Sequence, residues 1–257
     1  MVATLAGGVL STLAAALTLR LHVTWVPRLV SFAVGALLGA VFLDLIPEAL
    51  EAAGPSYVMR IVLAGLLGFF LLEKLVLWRH AHGHEEHDAQ AEESEHDHAL
   101  HRRPAHDGGR SGTMILIGNG VHSFCDGIAI AAAFLVSPAL GLATTLAIVA
   151  HAVPQQVGDF AVLLHSGFTR AKAFAYNLVA GLATLAGGLA AYFALAGMER
   201  ILPTVLALAA ASLLYVAVAD LIPSLHRRAE PAETLRQMIA IACGVATIAV
   251  AVALLDS

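Results

Sequence analysis

Apolar runs of about twenty residues recur along the chain, at 2–20, 29–50, 57–78, 113–136, 140–164, 172–197, 203–224 and 237–255. At about 1.5 Å of rise per residue, each is long enough as a helix to cross roughly 30 Å of hydrocarbon. The pattern predicts eight transmembrane helices and an all-α integral membrane protein whose main surroundings are the lipid bilayer. The separators "HVTWVPR", "EAAGPS", "VSPAL", "SGFTRAK", "GMER" and "HRRAEPAETLR" are short and carry Pro, Gly or charge. Only the third connection is long. It divides the chain into residues 1–79 with three spans, a loop at 80–112, spans four and five at 113–166, and the last three at 167–257.

Basic residues test this division, because Lys and Arg collect on the cytoplasmic connections. Arg20 and Arg28 flank the first connection, and Lys74, Arg79, Arg102, Arg103 and Arg110 the third. Arg170 and Lys172 mark the fifth, and Arg227, Arg228 and Arg236 the seventh. Only Arg60 and Arg200 fall on the other side. The alternation requires an even number of spans and places both termini outside, with the long loop in the cytoplasm. The first apolar run has no basic residue before it, so it is expected to be a retained span and not a cleaved leader.

Composition agrees: 59% of the 257 residues are hydrophobic and 13% charged, with a mean hydropathy of +0.80. The net charge of −5 comes mostly from one acidic stretch, so nucleic acid is not an expected partner. Cys125 and Cys243, the only cysteines, both lie in apolar runs, which excludes a disulfide framework or a CxxC site.

The long connection, "RHAHGHEEHDAQAEESEHDHALHRRPAHDGG", has no apolar periodicity and is expected to be disordered. Its histidines, His80, His82, His84, His87, His96, His98, His101 and His106, alternate with carboxylates, a mixture suited to buffering divalent transition metals. The alternative is a merely solvated linker. Elsewhere, "FLDLIPEAL" at 42–50 and "VADLIPSLH" at 218–226 repeat Asp-Leu-Ile-Pro late in the second and seventh spans. By the charge parity these spans run in opposite directions, as in an inverted-topology repeat, an arrangement that accompanies alternating access in transporters.

Ionisable groups inside a span cost on the order of 2.5–3.5 kcal/mol each, so they normally face a cavity or a partner. The fourth span carries His122 and Asp126, and the fifth His151 and Gln155. Each pair is spaced four apart and shares a helix face. His122 and Asp126 lie roughly 13–20 Å in from one end of their helix, and His151 and Gln155 roughly 16–22 Å in from the opposite end of theirs, so all four reach the bilayer middle. Two imidazoles, a carboxylate and an amide oxygen suit a divalent transition metal. Pro154 frees the carbonyl of Ala150 beside them, a defect tolerated where backbone lines a cavity. The competing reading is a set of hydrogen bonds locking two helices together. Ser123, Gln156, Asp159, Asp44, Glu48, Asp220, His165 and His226 form a second tier: Asp44 and Glu48 near the outer ends, Asp159, His165, Asp220 and His226 near the inner ends, as stations on a cation path or as anchoring groups.

"HSFCDGIAI" and "HAVPQQVGDF" together resemble the ZIP (Zrt/Irt-like) metal-ion transporters, in the branch with HNFxDGxAI and HExPxExGDF motifs, and the likeness to a bacterial-type member extends over the whole chain. The resemblance implies passage of Zn(II), with Cd(II), Fe(II) and Mn(II) as further substrates, toward the cytoplasm. It also implies two inverted three-helix bundles around helices 4 and 5, a homodimer, and residence in a bacterial inner (plasma) membrane. His122, Asp126, His151 and Gln155 match the family's liganding positions, and Ser123 and Ala152 match those completing a second, bridging metal site. The chain departs from the motifs at Ser123 for Asn and at Ala152 and Gln156 for Glu. Ala cannot coordinate, and Gln keeps the shape of Glu without its charge, so one metal and not two is expected.

Three functions compete. A transporter of divalent metal leads. An intramembrane metal-dependent hydrolase would need a general base beside the metal, and neither motif helix carries a Glu. A membrane-anchored metal buffer or sensor would need only the loop, and eight spans exceed what an anchor requires.

Overall fold

In hydrocarbon every backbone N–H needs a partner within its own segment, and these Ala- and Leu-rich runs meet that demand as helices. The computed structural model describes residues 26–88, 110–226 and 230–255, which are helical apart from short links. The first expected span lies outside the described residues. The helices are α1 (Val26–Ala40), α2 (Ile46–Ala53), α3 (Pro55–Asp88), α4 (Arg110–Val136), α5 (Pro138–His165), α6 (Arg170–Leu195), α7 (Leu202–Tyr215), α8 (Ile222–His226) and α9 (Pro231–Leu255).

Six stretches among the described residues are long and apolar enough to cross a membrane: Pro27–Ala53, Gly118–Val136, Pro138–Leu164, Arg170–Leu195, Leu202–His226 and Pro231–Leu254. They coincide with the second and the fourth to eighth expected spans. The third falls on α3, which continues to Asp88 and so takes in residues 80–88 that the sequence reading assigned to the loop. "HAHGHEEHD" holds one helix-weakening residue, Gly83, at a cost of about 1 kcal/mol, and no Pro to stop the helix. Likewise α4 begins at Arg110, within the expected loop.

Between α1 and α2 lies a π-helical segment, Val41–Leu45, and between α7 and α8 another, Val216–Leu221. These are the two Asp-Leu-Ile-Pro repeats. In each, the Ile before the Pro bonds five residues back: the Ile46 N–H to the Val41 carbonyl, and the Ile222 N–H to the Ala217 carbonyl. Pro47 and Pro223 have no N–H, so the carbonyls four residues earlier lose their usual donors. Widening into one π turn absorbs that defect. The repeat is therefore structural as well as verbal, with Asp44 and Asp220 at matching positions.

Connections are tight where the site needs neighbours. Gly54, at φ 80°, is the single-residue link between α2 and α3, and Pro55 opens the next helix with its φ already set. Ser137 alone joins α4 to α5, and its side-chain oxygen accepts from the Leu140 N–H at 3.1 Å, capping α5. Such a link makes α4 and α5 antiparallel neighbours.

Packing then holds them. Ala36 and Ala40 of α1 meet Ala143 and Ala147 of α5, with Ile248 of α9 completing the cluster. On the other side α4 crosses α6 backbone to backbone. A methyl on Gly127 would lie 1.9 Å from the Thr184 carbonyl oxygen, and one on Gly187 2.0 Å from that of Phe124. Small residues permit this approach, which dispersion and close packing then stabilise in lipid. The larger core runs through α1, α2, α3, α4 and α7 and includes Leu37, Leu45, Ile130, Leu206 and Leu213. Leu63 and Leu67 of α3, Phe193 of α6 and Leu254 of α9 point outward, the side on which acyl chains would lie.

Candidate metal centre

Positions 119, 122, 123 and 126 share one face of α4 by the i, i+3, i+4, i+7 rule, and 151, 155 and 159 share one face of α5. The two faces meet. The Nε2 atoms of His122 and His151 are 3.2 Å apart, and each lies 3.4 Å from Oδ2 of Asp126. Three potential ligand atoms thus form a nearly equilateral triangle with edges of 3.2, 3.4 and 3.4 Å. Bonds of about 2.0–2.1 Å in a tetrahedron imply ligand separations of about 3.3 Å, against about 2.9 Å in an octahedron. The triangle has the dimensions of one face of a tetrahedral zinc shell.

Orientation favours coordination too. Nδ1 of His151 lies 3.2 Å from the Ala147 carbonyl oxygen. A carbonyl only accepts, so Nδ1 carries the proton and Nε2 keeps its lone pair for the centre. The rings of His122 and His151 meet edge to face, their centroids 5.5 Å apart. The His151 side chain is fully buried and that of Asp126 is 5% exposed, whereas His122 is 16% exposed. Of the three, His122 is the most exposed. Oδ1 of Asp126 is buried and has no hydrogen-bond partner among the described residues.

Gln155 stands one turn further along α5. Its Nε2 donates to Oδ1 of Asn119 at 3.2 Å, and it lines a small cavity of about 10 Å³ together with Asn119, Ser123, Asp126, Ile148, Ala152, Gln156 and Thr184. Below that, Nδ2 of Asn119 donates to Oδ2 of Asp159 at 2.5 Å. The cross-helix contacts Asp126–His151, Asn119–Gln155 and Asn119–Asp159 descend α4 while ascending α5, as antiparallel neighbours must.

Three of the four leading residues therefore converge, and the fourth belongs to the next layer. Among the second tier, Ser123 is buried with Oγ 3.5 Å from Oδ1 of Asn119, and Gln156 is buried with its main-chain oxygen accepting from Nδ2 of Asn177 at 3.0 Å. Asp159 is half-buried. Asp44 and Glu48 are half-buried in the first π segment and in α2, and Asp220 is exposed in the second. Asp220 interacts electrostatically with both His122 and His151. His226 is exposed at the end of α8. His165 ends α5, and only its backbone is described, as for His80, His82, His84 and His87 on α3. His96, His98, His101 and His106 lie outside the described residues.

Sequence reasoning missed Asn119, Asn177 and Thr184. For Asn119 the signal was present, three residues before His122 and seven before Asp126. Asn177 and Thr184 carry none, because only the α4–α6 crossing brings α6 to the cavity. Glu73 and Lys74 are exposed on α3. Glu73 accepts from the Tyr215 hydroxyl, and Lys74 Nζ sits 5.8 Å above the Phe70 ring.

A family profile described as ZIP Zinc transporter matches residues 1–251. "Zinc transporter ZIP13" of Pongo abelii is 34% identical over 236 residues, covering 85% of this chain and 64% of that protein. The Homo sapiens protein of that name is 33% identical over 257 residues, covering 85% of this chain and 68% of its own length. "Zinc transporter ZIP4" of Homo sapiens is 32% identical over 253 residues, covering 78% and 39% respectively. The chain thus spans about two thirds of the length of the ZIP13 relatives it matches. With a profile match that runs through both motif helices and beyond them, the chain belongs to the ZIP zinc transporter family.

Proposed function

We propose that the chain carries divalent transition metal, Zn(II) foremost, across the membrane toward the cytoplasm by alternating access to a centre formed by His122, Asp126 and His151. The buried triangle of ligand atoms, sized for a tetrahedral ion and held between two spanning helices, carries this reading. A buried site with two neutral imidazoles and one carboxylate leaves a bound dication a net +1 charge, which favours a weakly held, releasable cargo over a permanent structural ion. A fourth position is left for water. Gln155 is assigned to the layer beneath and not to the ion itself.

Asp44 and Glu48 on one side, and Asp159, His165, Asp220 and His226 on the other, are proposed as stations of the path. The matched π turns around Asp44 and Asp220 support a two-ended arrangement. Residues 1–25 are proposed to supply the remaining span, giving eight with both termini outside and the four-part division at 79, 112 and 166. The histidines of the third connection would buffer metal at the cytoplasmic mouth. Cd(II), Fe(II) and Mn(II) are proposed as poorer substrates, because Fe(II) and Mn(II) favour higher coordination numbers and harder ligands. A homodimer in a bacterial plasma membrane completes the proposal; these two points rest on the motif resemblance, and the relatives reported above are eukaryotic. The hydrolase reading is not favoured, since the named relatives are transporters.

Radioactive zinc uptake into proteoliposomes tests the assignment. The full chain is expected to show saturable uptake. His122→Ala should reduce it by at least about tenfold, since even residues one step behind a metal's ligands change affinity 10–100-fold. Deleting residues 80–109 should leave uptake through the membrane part in place. Unchanged uptake in His122→Ala would remove the centre from the mechanism. Uptake lost on loop deletion but not in His122→Ala would favour the buffer.

A further inference from the structure

His122 and Asp126 share one helix, so α4 alone sets their spacing. The edges that join His151 to them, 3.2 and 3.4 Å, cross between helices and depend on how high α5 stands against α4. A shift of α5 by one residue's rise, about 1.5 Å, would break both. α5 is also weakest at this point. Pro154 stands inside it and supplies no N–H, so the rung that would hold the Ala150 carbonyl, next to His151, is missing. Helices bend where such a rung is lost. The two sides of Pro154 therefore need anchors outside α5.

Before Pro154 the anchor is α1, through Ala36 and Ala40 against Ala143 and Ala147. After it the anchor is α6. Asn177 is buried, and its Nδ2 donates to the main-chain oxygen of Gln156 at 3.0 Å, two residues past Pro154. A carbonyl oxygen has two lone pairs, so it can take this bond without leaving the helix ladder. Such a bond fixes height more closely than apolar packing, because it weakens steeply with distance and angle. Further along α5, Phe160 and Leu163 meet Ala173 of α6. The same face of α6 also reaches α4. Asn177, Thr184 and Gly188 follow at i, i+7 and i+11, and Thr184 and Gly188 form the backbone crossing at Gly127, the residue after Asp126. α6 thus grips α4 one residue past Asp126 and α5 five residues past His151.

We propose that Asn177 is a positioning residue for the metal centre: its bond to the Gln156 carbonyl, made from a helix locked to α4 at Gly127, sets the height of His151 against Asp126. Asn177 acts through α5 and not on the ion. The inference rests on the centre proposed above. Because the Gly127 crossing keeps α6 against α4 whatever stands at 177, losing the Asn177 bond releases α5 alone.

Zinc and cobalt(II) titrations of the full-length protein in nanodiscs test this role, cobalt because its visible spectrum reports coordination geometry. Asn177→Ala and Asn177→Leu change volume in opposite directions, and both remove the donor. Each should weaken zinc binding about tenfold, the low end of the 10–100-fold seen for groups behind a metal's ligands, and each should alter the cobalt spectrum. Asn177→Gln, which keeps an amide donor, should recover part of the loss. Ala191→Gly, at a buried position of α6 on the far side of the crossing from Asn177, should lower heat resistance and leave affinity and spectrum alone. If Asn177→Ala and Asn177→Leu behave as Ala191→Gly does, with the parent's zinc affinity and cobalt spectrum, Asn177 only packs and the proposal fails. A cobalt spectrum indifferent to His151→Ala would mean that the centre itself is misplaced, and the proposal falls with it. A spectrum that responds to His151→Ala but to neither variant at 177 removes Asn177 and keeps the centre.

Discussion

Asp126→Asn is expected to lower zinc affinity on the order of 100-fold or more, and uptake at low zinc to background, while leaving the metal-free protein at least as heat-resistant as its parent. The first half follows from the triangle. Without Asp126 Oδ2 as an anion, two neutral imidazoles face a dication in a setting of low dielectric, and an effect beyond the 10–100-fold typical of groups behind the ligands is expected. The second half follows from the same residue's other oxygen. Oδ1 is buried and has no hydrogen-bond partner among the described residues, and an unsatisfied buried acceptor of this kind costs on the order of 1–3 kcal/mol. Asn relieves the charge, and its amide can donate to an imidazole nitrogen. Zinc titration and thermal unfolding, measured on one preparation, check both halves. Lost affinity together with lost heat resistance would mean that Asp126 holds the helices and not the ion.

Gly127→Val is expected to yield no folded protein, or one destabilised by about 4 kcal/mol or more. Even the first added carbon would lie 1.9 Å from the Thr184 carbonyl oxygen and 2.7 Å from the Gly188 nitrogen, and both are backbone atoms that cannot rotate aside. Losses of that size come from a few mechanisms, of which forced overlap in a packed interior is one. Gly187→Val should behave alike, because its added carbon would meet the Phe124 carbonyl oxygen at 2.0 Å. Gly118→Ala, on the same helix with no atom of the described residues within 4 Å, should be neutral or better by up to about 1 kcal/mol. Yield and unfolding temperature in detergent check the series. Whatever fraction of Gly127→Val does fold should also lose the small cavity beside the centre, since Thr184 forms one of its walls.

Much of the architecture was legible because hydrophobic runs, basic residues and the Asp-Leu-Ile-Pro repeat record the demands of the bilayer directly. Spacing four apart predicted that His122 shares a face with Asp126. The same rule places Gln155 on the face of His151, but it establishes a common face and says nothing of height. One turn of helix separates His151 from Gln155, enough for the first to meet Asp126 while the second meets Asn119. Asn119 itself was overlooked because neutral polar residues in a span cost less than charged ones and draw less notice. The α4–α6 crossing was illegible for another reason: "CDG" and "AGG" are too short and too common to announce that two backbones touch. Only the packed structure shows that Thr184 belongs to the cavity.

The paired π turns carry a consequence for chain length. An α-helix that loses one residue turns everything beyond the gap by about 100° and draws it in by about 1.5 Å, which in a packed span turns buried faces toward lipid. A π turn is a helix that already holds one residue too many, so losing one from Val41–Leu45 or Val216–Leu221 would let the segment relax to ordinary pitch with both flanks still in step. The two repeats are thus expansion joints: the spans that carry Asp44 and Asp220 can shorten by a residue there, whereas α4 and α5, with unbroken pitch through every group of the centre, have no such slack.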